Sequence, residues 1–192
     1  MNRPLAALLC FALFEVAAFA SASAATAAAP AAATVETVGF YSNVRISHSE
    51  DPHAYGYSVE LYRQNGELFG LFYCAQGLDG DTPRGRLQDL RYDAASGRLF
   101  FRAKLTVGRE YSRDSGDDGR PSRDLFEFDG RLSAKALVGE VLHRDGYRPR
   151  EPGERERVKL TLDPRRTRDA RESAPAGRAA WMAEPLANGP QW

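Results

Sequence analysis

Three groupings in this 192-residue chain hold side chains that could do chemistry. The first is His48-Ser49-Glu50-Asp51-Pro52-His53, where two imidazoles and two carboxylates share one turn. These are ligand types that zinc and related divalent ions accept. A catalytic metal site draws a further ligand from elsewhere, and the histidine outside this turn is His143. The spacing therefore reads as a solvated hairpin, and no metal is expected. The second grouping is the acidic loop Asp114-Ser115-Gly116-Asp117-Asp118-Gly119. An EF-hand needs oxygen ligands where this loop would place Gly116 and Leu125, and Arg113, Arg120 and Arg123 compete for its carboxylates. Turn formation explains the loop, as it explains Asp79 and Asp81 in the segment before Pro83.

The third grouping is Tyr73-Cys74. A thiol with His143 as its base would be a nucleophile, since the thiolate is the reactive form. Cys74, however, follows Leu71, Phe72 and Tyr73, and no basic residue lies between Arg63 and Arg84. A cysteine in such company behaves as a small hydrophobe. It is expected to be buried, with a raised pKa and little reactivity. No Gly-x-Ser-x-Gly elbow, phosphate loop or dinucleotide fingerprint occurs in the chain. The sequence thus points to no catalytic residue, no cofactor and no enzyme.

These residues sit in a repeating phrase from Glu36 to Leu162, in which alternating apolar and polar runs end in Gly-, Asp- or Pro-rich turns. That is the pattern of consecutive antiparallel strands. The first run sets Val38, Phe40, Ser42, Val44 and Ile46 on the inner face, with Tyr41, Asn43 and Arg45 outside. The second places Tyr55, Tyr57, Val59 and Leu61 inward with Tyr62 outward. Asn65-Gly66 then turns it into Leu68 to Ala75, which is apolar on both faces. Leu87 to Tyr92 slips in phase between Leu87 and Leu90, as a bulge would cause. Leu99, Phe101, Ala103, Leu105 and Val107 alternate cleanly. Three further runs follow the polar 109–123 loop: Phe126, Phe128 and Leu132; Leu137 to His143; and Val158, Leu160 and Leu162.

About eight short antiparallel strands predict an all-β domain over 35–162, an up-and-down barrel or a strongly curved sandwich, because closing a sheet removes its exposed edges. In outline this resembles the calycin barrels, lipocalins and avidin among them, with Gly39-Phe40-Tyr41 where lipocalins carry Gly-x-Trp. Tryptophan is missing from that position, and neither the lipocalin disulfide nor its terminal helix has a visible counterpart. The likeness implies architecture and carries over no ligand residue.

The flanks read differently. Arg3, the apolar stretch Leu5 to Phe14 and the small residues Ala20-Ser21-Ala22-Ser23-Ala24 describe a signal peptide over 1–24. Glu15 interrupts the stretch well short of the ~20 residues a bilayer span needs, so no stable membrane span is expected after cleavage. Cys10 leaves with the signal, and Cys74 then has no cysteine to bridge. Residues 25–34 form an Ala-rich flexible leader. Residues 163–192, rich in Arg, Pro and Ala with isolated Trp181 and Trp192, show no period that buries a face and are expected to be disordered.

Two functional readings follow. The 26 basic and 26 acidic residues balance, which argues against electrostatic capture of nucleic acid. As a small-molecule binding barrel, the protein would hold an apolar or aromatic ligand in or at the mouth, walled by Tyr57, Phe101 and Phe128. As an envelope interaction or structural module with a filled core, it would present Tyr41, Arg45 and Tyr62 with the 109–123 loop to a protein partner. Either way the mature chain is expected to be exported, periplasmic or secreted, and to begin near Ala25. Mass spectrometry of protein from an envelope fraction checks this, and an intact Met1 terminus recovered from cytosol contradicts it.

Overall fold

Each alternating run finds an antiparallel partner on both sides. The computed structural model describes residues 34–48, 50, 52–77, 82–110, 116 and 118–186, so the proposed signal peptide and most of the leader lie outside the described residues. The barrel strands are β1 (Glu36–Ser42), β2 (Ala54–Gln64), β3 (Glu67–Gly77), β4 (Arg84–Asp93), β5 (Arg98–Lys104), β6 (Asp124–Leu132), β7 (Ala136–Asp145) and β8 (Glu154–Leu162). Each pairs with the next in the chain, and β8 returns to β1 through Tyr41↔Leu162 and Ser42↔Thr161, which closes an eight-stranded barrel. Asn65 (φ 53°) and Gly66 (φ 81°) make the left-handed two-residue turn between β2 and β3 that the Asn-Gly pair predicts. The 109–123 loop carries its own two-residue strands, Arg109–Glu110 paired with Arg120–Pro121.

Period-two alternation sends one face of every strand into the lumen, and large rings fill it. Phe101 stacks on Phe128 at 5.1 Å, Phe72 lies 6.1 Å from Phe101 and 4.8 Å from Phe126, and Tyr57 contacts both Phe72 and Phe126. Leu61, Leu99, Leu105, Leu137 and Leu160 close the space around this column. Phe101 and Phe128 are almost wholly buried. They are packing residues, so the two expected ligand walls belong to a solid core. The slip expected between Leu87 and Leu90 is a register shift between Gln88 and Arg91, with Asp89 at φ 48°.

The phase of β1 differs from expectation. A register shift between Thr37 and Gly39 turns the strand over, so Tyr41 points into the core with 1% exposure while Phe40 faces outward. Tyr41 is therefore no outer-face interaction residue. Tyr62 does face outward, yet it is only 3% exposed because the C-terminal segment covers it. Arg45 remains exposed on a two-residue strand, Arg45–Ile46, that pairs with the start of β2.

The segment expected to be disordered folds over most of its length. Helix α1 (Pro164–Glu172) begins with Pro164 in its first turn, and its N-cap Asp163 accepts the Arg166 N–H at 2.9 Å. It docks by main-chain bonds. Thr167 Oγ1 accepts the Phe40 N–H at 3.0 Å, and Asp163 N–H donates to the Phe40 carbonyl at 2.8 Å, extending the short β1–β8 seam. Tyr62 OH lies 3.3 Å from the Ala170 carbonyl oxygen, and the Arg166 guanidinium lies 4.4 Å from the Phe40 ring centre. Helix α2 (Arg178–Ala183) sets Trp181 edge-on to Phe69 at 5.2 Å, and Arg86 both stacks on that indole and donates to the Trp181 and Met182 carbonyls. Trp192 lies outside the described residues. The helices buried no visible apolar face of their own, since only Ala170 among their residues is buried. The apolar surface comes from Phe40, Tyr62 and Phe69 on the strands.

Beneath α1, the buried Glu60 carboxylate accepts hydrogen bonds from the Tyr62 and Tyr73 hydroxyls. Burial first, and then Glu60, hold both phenols protonated far above the usual tyrosine range. Removing residues 163–192 should expose Phe40, Tyr62 and Phe69 and lower the melting midpoint by more than about 5 °C, a shift of order 1 kcal/mol or more. Thermal melts of full and truncated chains check this, and coincident curves would mean that α1 and α2 add nothing to stability.

Candidate functional site

The column of rings ends at one mouth of the barrel, and there the inward positions turn polar. The start of β2 brings Tyr57, the end of β3 Cys74 and Gln76, and the start of β6 Asp124. The end of β7 brings His143 and Asp145, and the start of β8 Glu154 and Glu156. The alternation that puts Phe126, Val141 and Val158 in the core continues outward to these residues, so they rim the same lumen. Two adjoining clefts result. One of about 220 Å³ lies among Gln76, Arg120, Asp124, His143, Asp145 and Glu154. The other, about 590 Å³, lies among Arg45, Tyr57, Cys74, Glu156, Arg157 and Lys159.

His143 is held from two sides. It stacks on Phe126 at 4.6 Å, its partner across β6–β7, and its Nε2 lies 2.7 Å from Asp124 Oδ1. Asp124 is almost fully buried and accepts a second bond, from Ser122 Oγ at 3.1 Å. Although these are the residue types of a hydrolase triad, the order differs. The hydroxyl is bonded to the carboxylate and not to the imidazole, so nothing draws its proton away and Ser122 is not activated as a nucleophile. Burial works against the imidazolium, but the hydrogen bond and charge of Asp124, with the charges of Glu154 and Asp145, outweigh it and raise the His143 pKa above its ordinary value.

The smaller cleft is the acidic one, with Asp124, Asp145, Glu151 and Glu154 against Arg120 and Arg148, whereas the larger sets Arg45, Arg157 and Lys159 around Glu156. Asp124 and Asp145 sit opposite one another on β6 and β7, an unfavourable like-charge pair that His143 relieves on one side and Arg148 and Arg120 on the other. Asp145 also feels burial, but its bonds from the Arg148 guanidinium and the Tyr147 N–H keep it below the usual carboxylate range. Tyr57 OH donates to Glu156 Oε2 at 3.2 Å. Burial foremost, then the Cys74 thiol, Glu156 and Glu154, push the Tyr57 hydroxyl far above the usual tyrosine pKa. Glu154 forms no ion pair among the described residues.

Of the expected ligand-binding residues, the structure brings only Tyr57 to this site, while Arg45, expected as an outer contact, stands on its rim. Cys74 is buried as a thiol and takes a hydrogen bond from Gln76 Nε2 at 3.1 Å, with Tyr57 opposite it on β2. His48 and His53 lie outside this mouth, in a hairpin tied by Ser47, and Asp51 falls outside the described residues, as do Asp79, Asp81, Asp114 and Asp117. Among the described residues no three His, Cys, Asp or Glu side chains are placed to hold a metal ion. Sequence reasoning missed the His143–Asp124 pair and the two glutamates. Their signal was the unbroken alternation Asp124-x-Phe126 and Glu154-x-Glu156-x-Val158, whose inward face turns acidic at one strand end. No family model, curated protein or solved structure is similar to this chain.

The His143 interaction has a pH signature. Its folded pKa is the higher one, so its stabilisation is complete below the unfolded value of about 6.5 and is lost as pH climbs through the folded value. An NMR titration should place the His143 midpoint above about 6.5 in the wild type and lower in Asp124→Asn, where only the Glu154 and Asp145 charges are left to oppose burial. Equal midpoints would mean that Asp124 does not set this pKa.

Proposed function

We propose that this protein is an exported binding barrel whose site is the polar mouth, and that its ligand is a small molecule carrying an ammonium or amidinium group. One observation carries the reading: the lumen is filled by the Phe72–Phe101–Phe126–Phe128 column, while at its end Asp124, Asp145, Glu151 and Glu154 outnumber Arg120 and Arg148 in the cleft around His143. An apolar ligand held inside the lumen would need volume that those rings occupy. At the mouth, a cation would meet the Glu154 carboxylate of the acidic cleft in a charge-assisted hydrogen bond. The exposed ring of Tyr55 and the rim of Tyr57 offer faces on which a cation or an aromatic body can lie. No catalytic step belongs to this proposal.

A second reading is favoured by one feature of the same end. Val44, Ile46 and Tyr55 are exposed on the hairpin between β1 and β2, an apolar lip suited to a protein partner of the envelope. The two readings part on the size of what binds. In the first, benzylammonium should cause saturable NMR shifts at Tyr57, His143 and Glu154, while its neutral analogue benzyl alcohol should not. Glu154→Gln should weaken that binding about tenfold, the order expected for one charge-assisted bond. Absence of saturable shifts at the mouth, or equal binding of the neutral analogue, overturns the reading.

A further inference from the structure

Away from the mouth clefts, the outer wall of the barrel carries a cleft of about 400 Å³ between the start of α1 and the mouth-side ends of β1 to β4. Its walls are the rings of Phe40 and Tyr73, 5.9 Å apart, with Val44 and Ala75 beside them. Its polar groups are mostly donors. Arg84 stands across from Tyr73 on β4, and Arg166 reaches in from the first turns of α1. Among the described residues neither guanidinium forms an ion pair, although Arg166 lies over Phe40. Both guanidinium-bearing residues line this one cleft, around the Tyr73 phenol.

The hydroxyl pattern points the same way. Ser58 is 5% exposed and its Oγ donates to Ser42 Oγ at 2.9 Å, and the Val44 N–H donates to the same Ser42 oxygen at 3.1 Å. The Ser42 and Ser58 hydroxyls share one hydrogen bond between them, so one of their two protons is left for another acceptor. Both serines line the cleft, so that proton lies within its walls. Two carboxylates are near. Asp163 is committed to capping α1 through the Arg166 N–H, and Glu60 lies behind Tyr73, accepting two phenolic protons. Neither one pairs with a guanidinium of this cleft.

We propose that this cleft binds the oxyanion of a small molecule, a carboxylate or a phosphate. Arg84 and Arg166 would bind its oxygens and the Ser42–Ser58 pair would donate a further bond, with any apolar part of the ligand lying on the exposed Val44. The site is separate from the barrel mouth and asks for ligand charge of the opposite sign, so the two assignments stand or fall independently.

The test is an NMR titration of the full mature chain in low-chloride buffer, with inorganic phosphate in one arm and benzoate in the other. Saturable shifts are expected at Phe40, Ser42, Val44, Ser58, Arg84 and the Arg166 side chain in at least one arm. The better-bound probe identifies the oxyanion class, and either supports the site. The double variant Arg84→Gln/Arg166→Gln should lose at least about tenfold in affinity, and Ser42→Ala a smaller factor. Benzylammonium should still titrate the mouth in the same double variant. Should that double variant unfold, Arg84→Gln alone, with Ser42→Ala, gives the same reading from the strand side. The proposal is overturned if neither anion saturates the cleft, or if the folded variants bind as the wild type does.

Discussion

Closing eight strands into a barrel leaves an interior just wide enough for side chains to fill, and here aromatic rings fill it. That filling constrains everything else. With Phe101, Phe128 and Phe72 in contact, the inner face of every strand is fixed and the volume for a ligand moves to the ends and the outer wall. The top of the column is also the floor of the mouth. Phe126 supports the His143 ring from below at 4.6 Å, and Asp124 sets the direction of its Nε2 edge. The imidazole is thus oriented by core packing and by one buried carboxylate, an arrangement that keeps a polar group precisely placed without a flexible loop to hold it.

The outside of the barrel is equally specific. One stretch of wall, from β1 through β3, presents Phe40, Tyr62, Phe69 and Tyr73 outward, which a solvated strand would not do. The C-terminal segment answers that surface by covering it. Its helices contribute arginines, main-chain carbonyls and one indole, so the contact is polar at the helices and apolar at the sheet. Glu60 lies buried in this contact, and its bonds from two phenols replace those it would make to water.

Much of this could be read in the sequence. Period-two alternation locates the strands, Asn65-Gly66 locates a hairpin, and the slip after Leu87 marks a bulge, because each is a local property of backbone and burial. The errors came from interactions between distant residues. A bulge at Gly39 reverses β1, and its only local hint is the glycine itself. The helices looked structureless because the residues they bury against belong to other strands. The double-faced run Leu68 to Ala75 already said that something covers the outside of β3, without saying what. The His143–Asp124 pair depends on the register of β6 against β7, which pairs Phe126 with His143 and leaves Asp124 one inward step beyond.

The bond from the Phe40 N–H to Thr167 joins residues 127 positions apart, and the β1–β8 pairing it extends is nearly as long in sequence. No stretch of chain that stops short of Thr167 can make it. As the chain folds, β1 can pair with β2 early, but its other edge waits until β8 and α1 reach it. Contacts of such long range fold slowly, because the loop entropy must be lost before the contact forms. An open β1 edge with Phe40 beside it is meanwhile a template for a stranger's strand. The order of closure therefore makes the meander an intermediate that a folding chain must occupy, and the arrival of α1 is the event that ends its exposure.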